Sequence, residues 1–295
     1  DSAGDDHGAI VTGIIAGNND GSGIVGVAPS AALHLSDFNY WAPVFWAEQM
    51  DGATAAGAVA QNNSWGFDQQ YGAAGADVFV NYMNTNGISG SETLVAFQSI
   101  DTNGDGYYDV GVDTTPEDWS VSDWDTYISS LNNFQSNGGV VVFALSNDNS
   151  KTDADISAAL PELFESLNEA WLAVANVDLP TGASDHVLYS APCGSTAEYC
   201  LAADGQDIIG LAYDSNGSDY YWPAGRSSFA APQVSGAVAI LAEAFPNHSA
   251  EQITDRLLAS ANNDIGFDFA GSVTFGNGVI HEFSNEAGHG MLDIY

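Results

Sequence analysis

Basic residues are almost absent from this chain. Three Lys and Arg stand against 39 Asp and Glu in 295 residues, a formal net charge of -36. Such a surface repels phosphate backbones and anionic lipid headgroups, which argues against nucleic-acid and anionic-membrane partners. It favours solubility, cation binding and tolerance of salt. Long apolar runs are also lacking, so no segment is expected to insert into a membrane. The first residues, from Asp1, are polar and carry no signal-peptide pattern. Cysteine is scarce. Cys193 and Cys200 lie in Cys-Gly-Ser-Thr-Ala-Glu-Tyr-Cys, a spacing that fits neither a CxxC redox motif nor a full zinc site. A small disulfide loop is the favoured reading and points to an oxidising compartment, with two free thiols as the alternative.

What is present is a globular composition, 45% hydrophobic, which suits one large domain over 1–295 or two small ones. His7 to Gly17 is small and apolar and reads as a tightly packed helix, with Gly8 and Gly13 allowing close backbone approach. A turn at Gly26–Pro29 precedes a short strand, Ala31–Leu35. Residues 45–60 read as an Ala-rich helix. Asn62-Asn63-Ser64-Trp65-Gly66 reads as a strand end running into a loop. Residues 68–116, rich in Gly, Asn and Asp, read as an insertion. Glu117–Phe134 has helical spacing. Gly139–Leu145 and Trp171–Val177 are continuous apolar runs, the pattern of strands buried on both faces. Strands alternating with helices predict an α/β fold, a mostly parallel sheet with helices on both faces. In such sheets the site lies at the carboxyl ends of the strands.

Three residues fall at such ends. His7 stands at a helix entrance. Asn147 follows the apolar run 139–145. Ser228 lies in Ser227-Ser228-Phe229-Ala230-Ala231-Pro232, just before a run with buried-helix spacing, with Pro232 placed as an early-turn proline. A serine there sits near unpaired N–H groups and a positive helix end, where an oxyanion is stabilised. Taken alone it would be an N-cap serine, and His7 alone a capping or surface histidine.

Together, His7-Gly-x-x-Val-x-Gly, Ser64-Trp-Gly, the apolar strand ending at Asn147, and Ser227–Gly236 resemble the subtilisin-like serine peptidases, the subtilases. The motifs stand in that family's order and span nearly the whole chain. The Cys loop followed by Leu201-Ala202-Ala203 and the Gly-His-Gly-Met-Leu-Asp ending resemble the branch that includes bacterial autotransporter-type surface peptidases. The resemblance implies a three-layer subtilisin-like fold and a secreted or cell-surface serine endopeptidase. It makes Ser228 the nucleophile, His7 the general base and Asn147 the oxyanion donor. It implies that Ser64-Trp65-Gly66 and Ala144-Leu145-Ser146 flank an extended polypeptide substrate. It also leaves room for an upstream pro-segment.

The chain departs from the family in four ways. The family order is Asp, His, Ser, but only six residues precede His7. Asp1, Asp5 and Asp6 resemble the loop flanking the histidine, so the aspartate strand is expected to be lacking, with Asp37 as a distant replacement. Arg226 stands where glycine is usual, and is expected to pair with an acid, face solvent or crowd the cleft. Ile10 replaces a second histidine, and Ser146 a glycine. The alternative reading keeps the fold without the activity: a calcium-dependent peptide- or protein-binding module.

Calcium enters through residues 101–109, Asp-Thr-Asn-Gly-Asp-Gly-Tyr-Tyr-Asp. This is close to the Asp-x-Asn-x-Asp-Gly loop, with Asp101, Asn103, Asp105 and Asp109 ligating through side chains and Tyr107 through its carbonyl. Val112 stands where that loop ends in Glu. A solvated acidic turn is the simpler alternative. His34, His186, His248, His281 and His289 show no paired metal spacing, and the tryptophans read as packing residues.

Overall fold

Continuous apolar runs become the central strands. The computed structural model describes residues 7–36, 42–66, 75–98, 119–178, 186–213 and 219–294, the backbone alone at 211–213 and 219–224. In order these form α1 (His7–Ala16), α2 (Pro43–Ala55), β1 (Ala60–Asn63), α3 (Ala76–Asn86), α4 (Gly90–Gln98), α5 (Val121–Ser136) and β2 (Val140–Ala144). Next come α6 (Leu160–Leu163), β3 (Trp171–Asp178), β4 (Val187–Leu188), β5 (Cys200–Ala203) and the hairpin β6 (Ile208–Tyr213) and β7 (Asp219–Ala224). Helices α7 (Ser227–Ala244) and α8 (Ala250–Ser260) precede a last hairpin, β8 (Phe269–Thr274) and β9 (Ile280–Ser284).

Strands β1, β2, β3 and β5 lie side by side and parallel, in register Ala60 with Val140, Val141 with Trp171, and Ala173 with Cys200. Short β4 pairs antiparallel with the end of β3. The strand period of two divides the side chains between two cores. Val141, Phe143, Trp171 and Ala173 join Trp46 and Met50 of α2 and Trp124 and Leu131 of α5. Val140, Val142, Leu172 and Val174 join Val234 of α7 and Leu257 of α8. This is the expected sheet between two helix layers. Helix α1 lies against α7, with Ile10, Val11 and Ile14 around Phe229.

Local chemistry fixes the helix ends. Ser120 and Asp123 form a capping box at the start of α5, and Ser249 and Gln252 another at α8. The expected insertion carries α3 and α4 at its amino-terminal end. Helix α2 stops at Ala55, not at residue 60, because the chain turns at Gly57, φ 70°, before entering β1. Ala31–Leu35 joins no ladder among the described residues. Its apolar alternation is real, but Leu33 and Leu35 are exposed. A Cβ on Gly13 would meet only the tip of Ile24, 2.7 Å from Cδ1, and Gly8 faces open space; the close backbone approach falls at Gly17, where a Cβ would stand 2.7 Å from Gly13 O and 2.8 Å from Ile24 O.

The carboxyl-terminal segment is pinned by two histidines that the sequence left unconnected. His281 Nδ1 and His289 Nδ1 lie 3.0 Å apart. The outer nitrogens lie 3.0 Å from Ala261 O and 3.1 Å from Glu198 O. The two carbonyls only accept, so two neutral rings bring two N–H donors to three contacts, with at most one proton between the Nδ1 atoms. His289 is fully buried, and burial pushes its protonation down to about 4. Above the ordinary histidine range neither state takes the proton, and the native contact is intact. As pH falls from about 6.5 towards 4, the unfolded chain binds a proton that the folded chain refuses, and stability is lost. The loss should reach at most about 3 kcal/mol. Urea midpoints measured from pH 7 to 4.5 should fall in wild type, and fall less steeply in His289→Leu. Equal slopes would refute the assignment.

Candidate active site

Helix α7 begins at the carboxyl end of the parallel sheet with Ser227 and Ser228, both buried. Pro232 is the sixth residue of this helix, inside it and not in its first turn. The interior position has a consequence. Proline has no N–H, so the carbonyl four residues earlier, that of Ser228, receives no helical donor. Ser64 supplies one, its Oγ donating to Ser228 O at 2.8 Å. Ser64 Oγ is itself held by Asn62 Nδ2 at 2.8 Å, and Asn62 Oδ1 accepts from Ser235 Oγ at 3.0 Å. The circuit therefore runs from α7 through β1 and back to the candidate nucleophile. Ser228 Oγ lies 3.4 Å from Ser64 O.

Asn147 follows β2 and faces Ser227. Its Oδ1 accepts from Ser227 N at 2.9 Å and Ser227 Oγ at 3.0 Å. With Oδ1 so engaged, the Nδ2 donors are turned away from Ser227. Asn147 is exposed while Ser146, just before it, is buried. The amide therefore stands at the edge of the site on a rigid base.

That base is an acid the sequence reading passed over. Asp155 Oδ2 accepts from Ser146 N at 2.7 Å, and Oδ1 from Ser157 N and Ala158 N at 3.2 and 3.3 Å. Burial pushes its carboxyl above the ordinary carboxylate range, against the nearby Lys151 charge and the three N–H donors. A Cβ on Gly66 would stand 3.4 Å from Asp155 Oδ1 and 3.3 Å from Ser157 Oγ. The segments 64–66 and 144–146 thus meet at this carboxylate. Ser146 also gives its carbonyl to Ala191 N at 2.8 Å, so this residue is a wall more than a donor strand. Trp65 is braced from behind, 5.0 Å from Trp46 and 5.4 Å from Phe143 between ring centroids.

His7 opens α1. Its ring lies 5.8 Å from that of Phe229, the residue after Ser228. The packing of α1 on α7 therefore brings His7, Asn147 and Ser228 to one end of the sheet. Arg226 precedes α7 with an exposed side chain and donates its N–H to Gly205 O at 3.0 Å. Cys193 and Cys200 form a disulfide that closes a 3-10 turn ahead of β5. Asp1, Asp5, Asp6 and Asp37 lie outside the described residues, as do Asp101, Asn103, Asp105, Tyr107 and Asp109. Among the described residues no cluster of three His, Cys, Asp or Glu has metal-binding geometry. Sequence reasoning missed Asn62, Ser227, Ser235 and Asp155 as site residues. Only Asp155 carried a local signal, an acid set among Ala154, Ile156 and Ala158.

The proline-for-hydroxyl exchange is testable through stability. Ser64→Ala should cost about 1–3 kcal/mol, because it leaves a buried carbonyl without a donor. Pro232→Ala supplies the missing N–H. The double variant should therefore be less destabilised than the two single changes added together, by at least about 0.5 kcal/mol in a denaturant double-mutant cycle. Strict additivity would contradict the exchange.

Known proteins share the sequence pattern and the fold. The subtilase family model matches residues 1–290. An extracellular serine protease of Serratia marcescens is 27% identical over 282 residues, covering 88% of this chain and 26% of that protein. Serotype-specific antigen 1 of Mannheimia haemolytica is 32% identical over 130 residues, covering 43% of this chain and 13% of its own length. The chain thus spans about a quarter or less of these relatives. Among solved structures, fervidolysin of Fervidobacterium pennivorans, a keratinolytic enzyme related to subtilisin, gives a TM-score of 0.60 at 19% identity over 97% of this chain and 35% of its own. Sphericase gives 0.56 at 21% identity over 100% of this chain and 79% of its own. These two show a shared fold. The match across 1–290, with the layered sheet and the serine at the head of α7, places the chain in the subtilase family.

Proposed function

We propose that this chain is the peptidase domain of a serine endopeptidase acting through an acyl-enzyme on Ser228. The observation that carries the reading is the Asn147 amide, locked through Oδ1 to Ser227 with its donors turned away from that residue. Ser228 Oγ attacks the peptide carbonyl carbon and passes its proton to His7. The carbonyl oxygen becomes an oxyanion, held by Asn147 Nδ2 and the Ser228 N–H at the positive end of α7. Collapse of the intermediate expels the amine, which takes the proton from His7. Water then repeats the sequence and frees the acid. The polypeptide lies extended along Ser64–Gly66, with Ala144, Leu145 and Ser146 as the facing wall. The disulfide, the acidic surface and the extracellular Serratia relative support a setting outside the cytoplasm.

A fluorophosphonate probe should label wild type at Ser228 by peptide mass mapping, and Ser228→Ala should remain unlabelled with a near-native circular dichroism spectrum. A folded chain that never labels would sink the peptidase reading and favour a groove that only binds peptides.

We also propose that residues 101–109 bind calcium, on their pattern of oxygen ligands. Chelator should then speed proteolysis within 101–113 and lower the melting temperature, and added calcium should restore both. Identical cleavage with and without chelator would remove calcium from the account.

A further inference from the structure

The three basic residues of this chain have different surroundings. The Arg256 guanidinium lies 4.0 Å over the Phe245 ring, and its Nε donates to His248 Nδ1 at 3.4 Å. The Lys151 charge lies close enough to Asp148 and buried Asp155 to act on both. Arg226 is the exception. Its side chain is exposed, and among the described residues it has no hydrogen bond, ion pair or ring contact. In a chain with 39 acids, the cation left unpaired is the one beside the candidate nucleophile.

The main chain fixes where Arg226 stands. It is the N-cap residue of α7, two positions before Ser228. Its N–H donates to Gly205 O at 3.0 Å, and its carbonyl accepts from Phe229 N at 2.9 Å. Each residue at the head of α7 is tied to a different strand end. Ser228 is held by Ser64, after β1; Ser227 by Asn147, after β2; and Arg226 by Gly205, after β5. The parallel strands run in the order β1, β2, β3, β5. Arg226 therefore stands on the β5 side of Ser228, away from the segment 64–66. Acids on the adjoining loops are engaged elsewhere. Asp204 Oδ1 accepts from Gln206 N at 2.9 Å, and Asp148 Oδ1 from Ser150 N and Oγ at 3.0 and 2.6 Å.

We propose that Arg226 sets specificity on the leaving side of the scissile bond, its guanidinium pairing with a substrate carboxylate within the first three residues after that bond. The carboxylate is an Asp or Glu side chain or a terminal carboxyl group. The proposal rests on the peptidase reading, in which the acyl half of the substrate lies along Ser64–Gly66. The leaving half then runs the other way, over residues 225–227. An arginine and its ion-pair partner span about 10 Å, which is about three residues of extended peptide. The planar guanidinium fork takes a carboxylate through two N–H groups and keeps its charge at any working pH. The net charge of -36 does not cancel this contact. Exposed charges more than about 8–10 Å away are screened at physiological salt, while the guanidinium meets the carboxylate directly. The acidic surface elsewhere repels carboxylates, and so favours the register that places one at Arg226.

The test digests a proteome-derived peptide library with wild type, Arg226→Gln and Arg226→Lys, and maps the new termini by mass spectrometry. The side chain makes no internal contact, so both variants should fold. In wild type, Asp and Glu should be enriched about threefold or more within three positions after the cleaved bond, the scale of an exposed but bidentate pair. Arg226→Gln should abolish the enrichment, Arg226→Lys should keep part of it, and 0.5 M salt, about a 4 Å screening length, should weaken it. Amidating the library's carboxyl ends separates the sources: enrichment that persists assigns side chains, and enrichment that disappears assigns the terminal group. Cleavage without acid enrichment, or with the same enrichment in Arg226→Gln, would overturn the proposal and leave the peptidase reading intact. A second readout is independent of cleavage. The Arg226 Nε–H resonance of ¹⁵N-labelled Ser228→Ala, for which Arg256 gives the only other such signal, should shift with acetyl-Ala-Ala-Pro-Ala-Ala-Glu-Ala-amide at about 1 mM and not with its Gln counterpart. If wild type neither cleaves nor takes a fluorophosphonate, the peptidase reading fails, and this resonance decides alone. A shift with the Glu peptide only would keep a carboxylate-binding Arg226, and no shift would overturn it.

Discussion

The site depends on a hydrogen bond that a proline makes available. Pro232 denies the Ser228 carbonyl its helical donor, and the Ser64 hydroxyl takes that place. Two segments 164 residues apart are thereby joined at Ser228, the candidate nucleophile. Strand β1 cannot shift without moving Ser64, and Ser64 cannot move without leaving a buried carbonyl bare. Asn62 and Ser235 close the same circuit from behind. A helix interior normally excludes proline because of this lost bond. Here the loss is converted into a tie between helix and sheet.

The remaining parts of the site are held in the same way, by polar groups buried at the sheet's carboxyl end. Asn147 is fixed by Ser227, and Ser146 by Asp155. The Asp155 carboxylate is costly to bury, and three backbone N–H groups offset that cost. The aromatic cluster around Trp46 supports Trp65 and so the segment 64–66. The two apolar cores above and below the sheet back this end, and in the proposed reading they hold the Asn147 amide preset for a charge that exists only in the transition state.

The parts legible in the sequence were those with local cause. Runs 139–145 and 171–177 read as buried strands because both of their faces are apolar, and β2 and β3 lie within them. Ser228, Asn147 and His7 were singled out by ordered motifs as candidates, and the structure brings them to one end of the sheet. Ala31–Leu35 misled, because alternation reports a pleat that fits a strand and cannot report whether a partner lies alongside. Pro232 misled because its place within the helix depends on where α7 starts. Asn62, Ser235 and Asp155 were silent, since their partners are far away in sequence or are backbone groups. His281 and His289 meet only because the last hairpin folds back on the chain.

The central claim is that Asn147 and Ser228 form one preset oxyanion site. A peptide boronic acid becomes tetrahedral and anionic on a serine and so probes that site directly. Its affinity for wild type and for Asn147→Ala should differ by about 10²-fold or more, in line with the cost of removing such an amide in a related subtilisin, about 10²–10³ in kcat. Equal affinities would contradict the account.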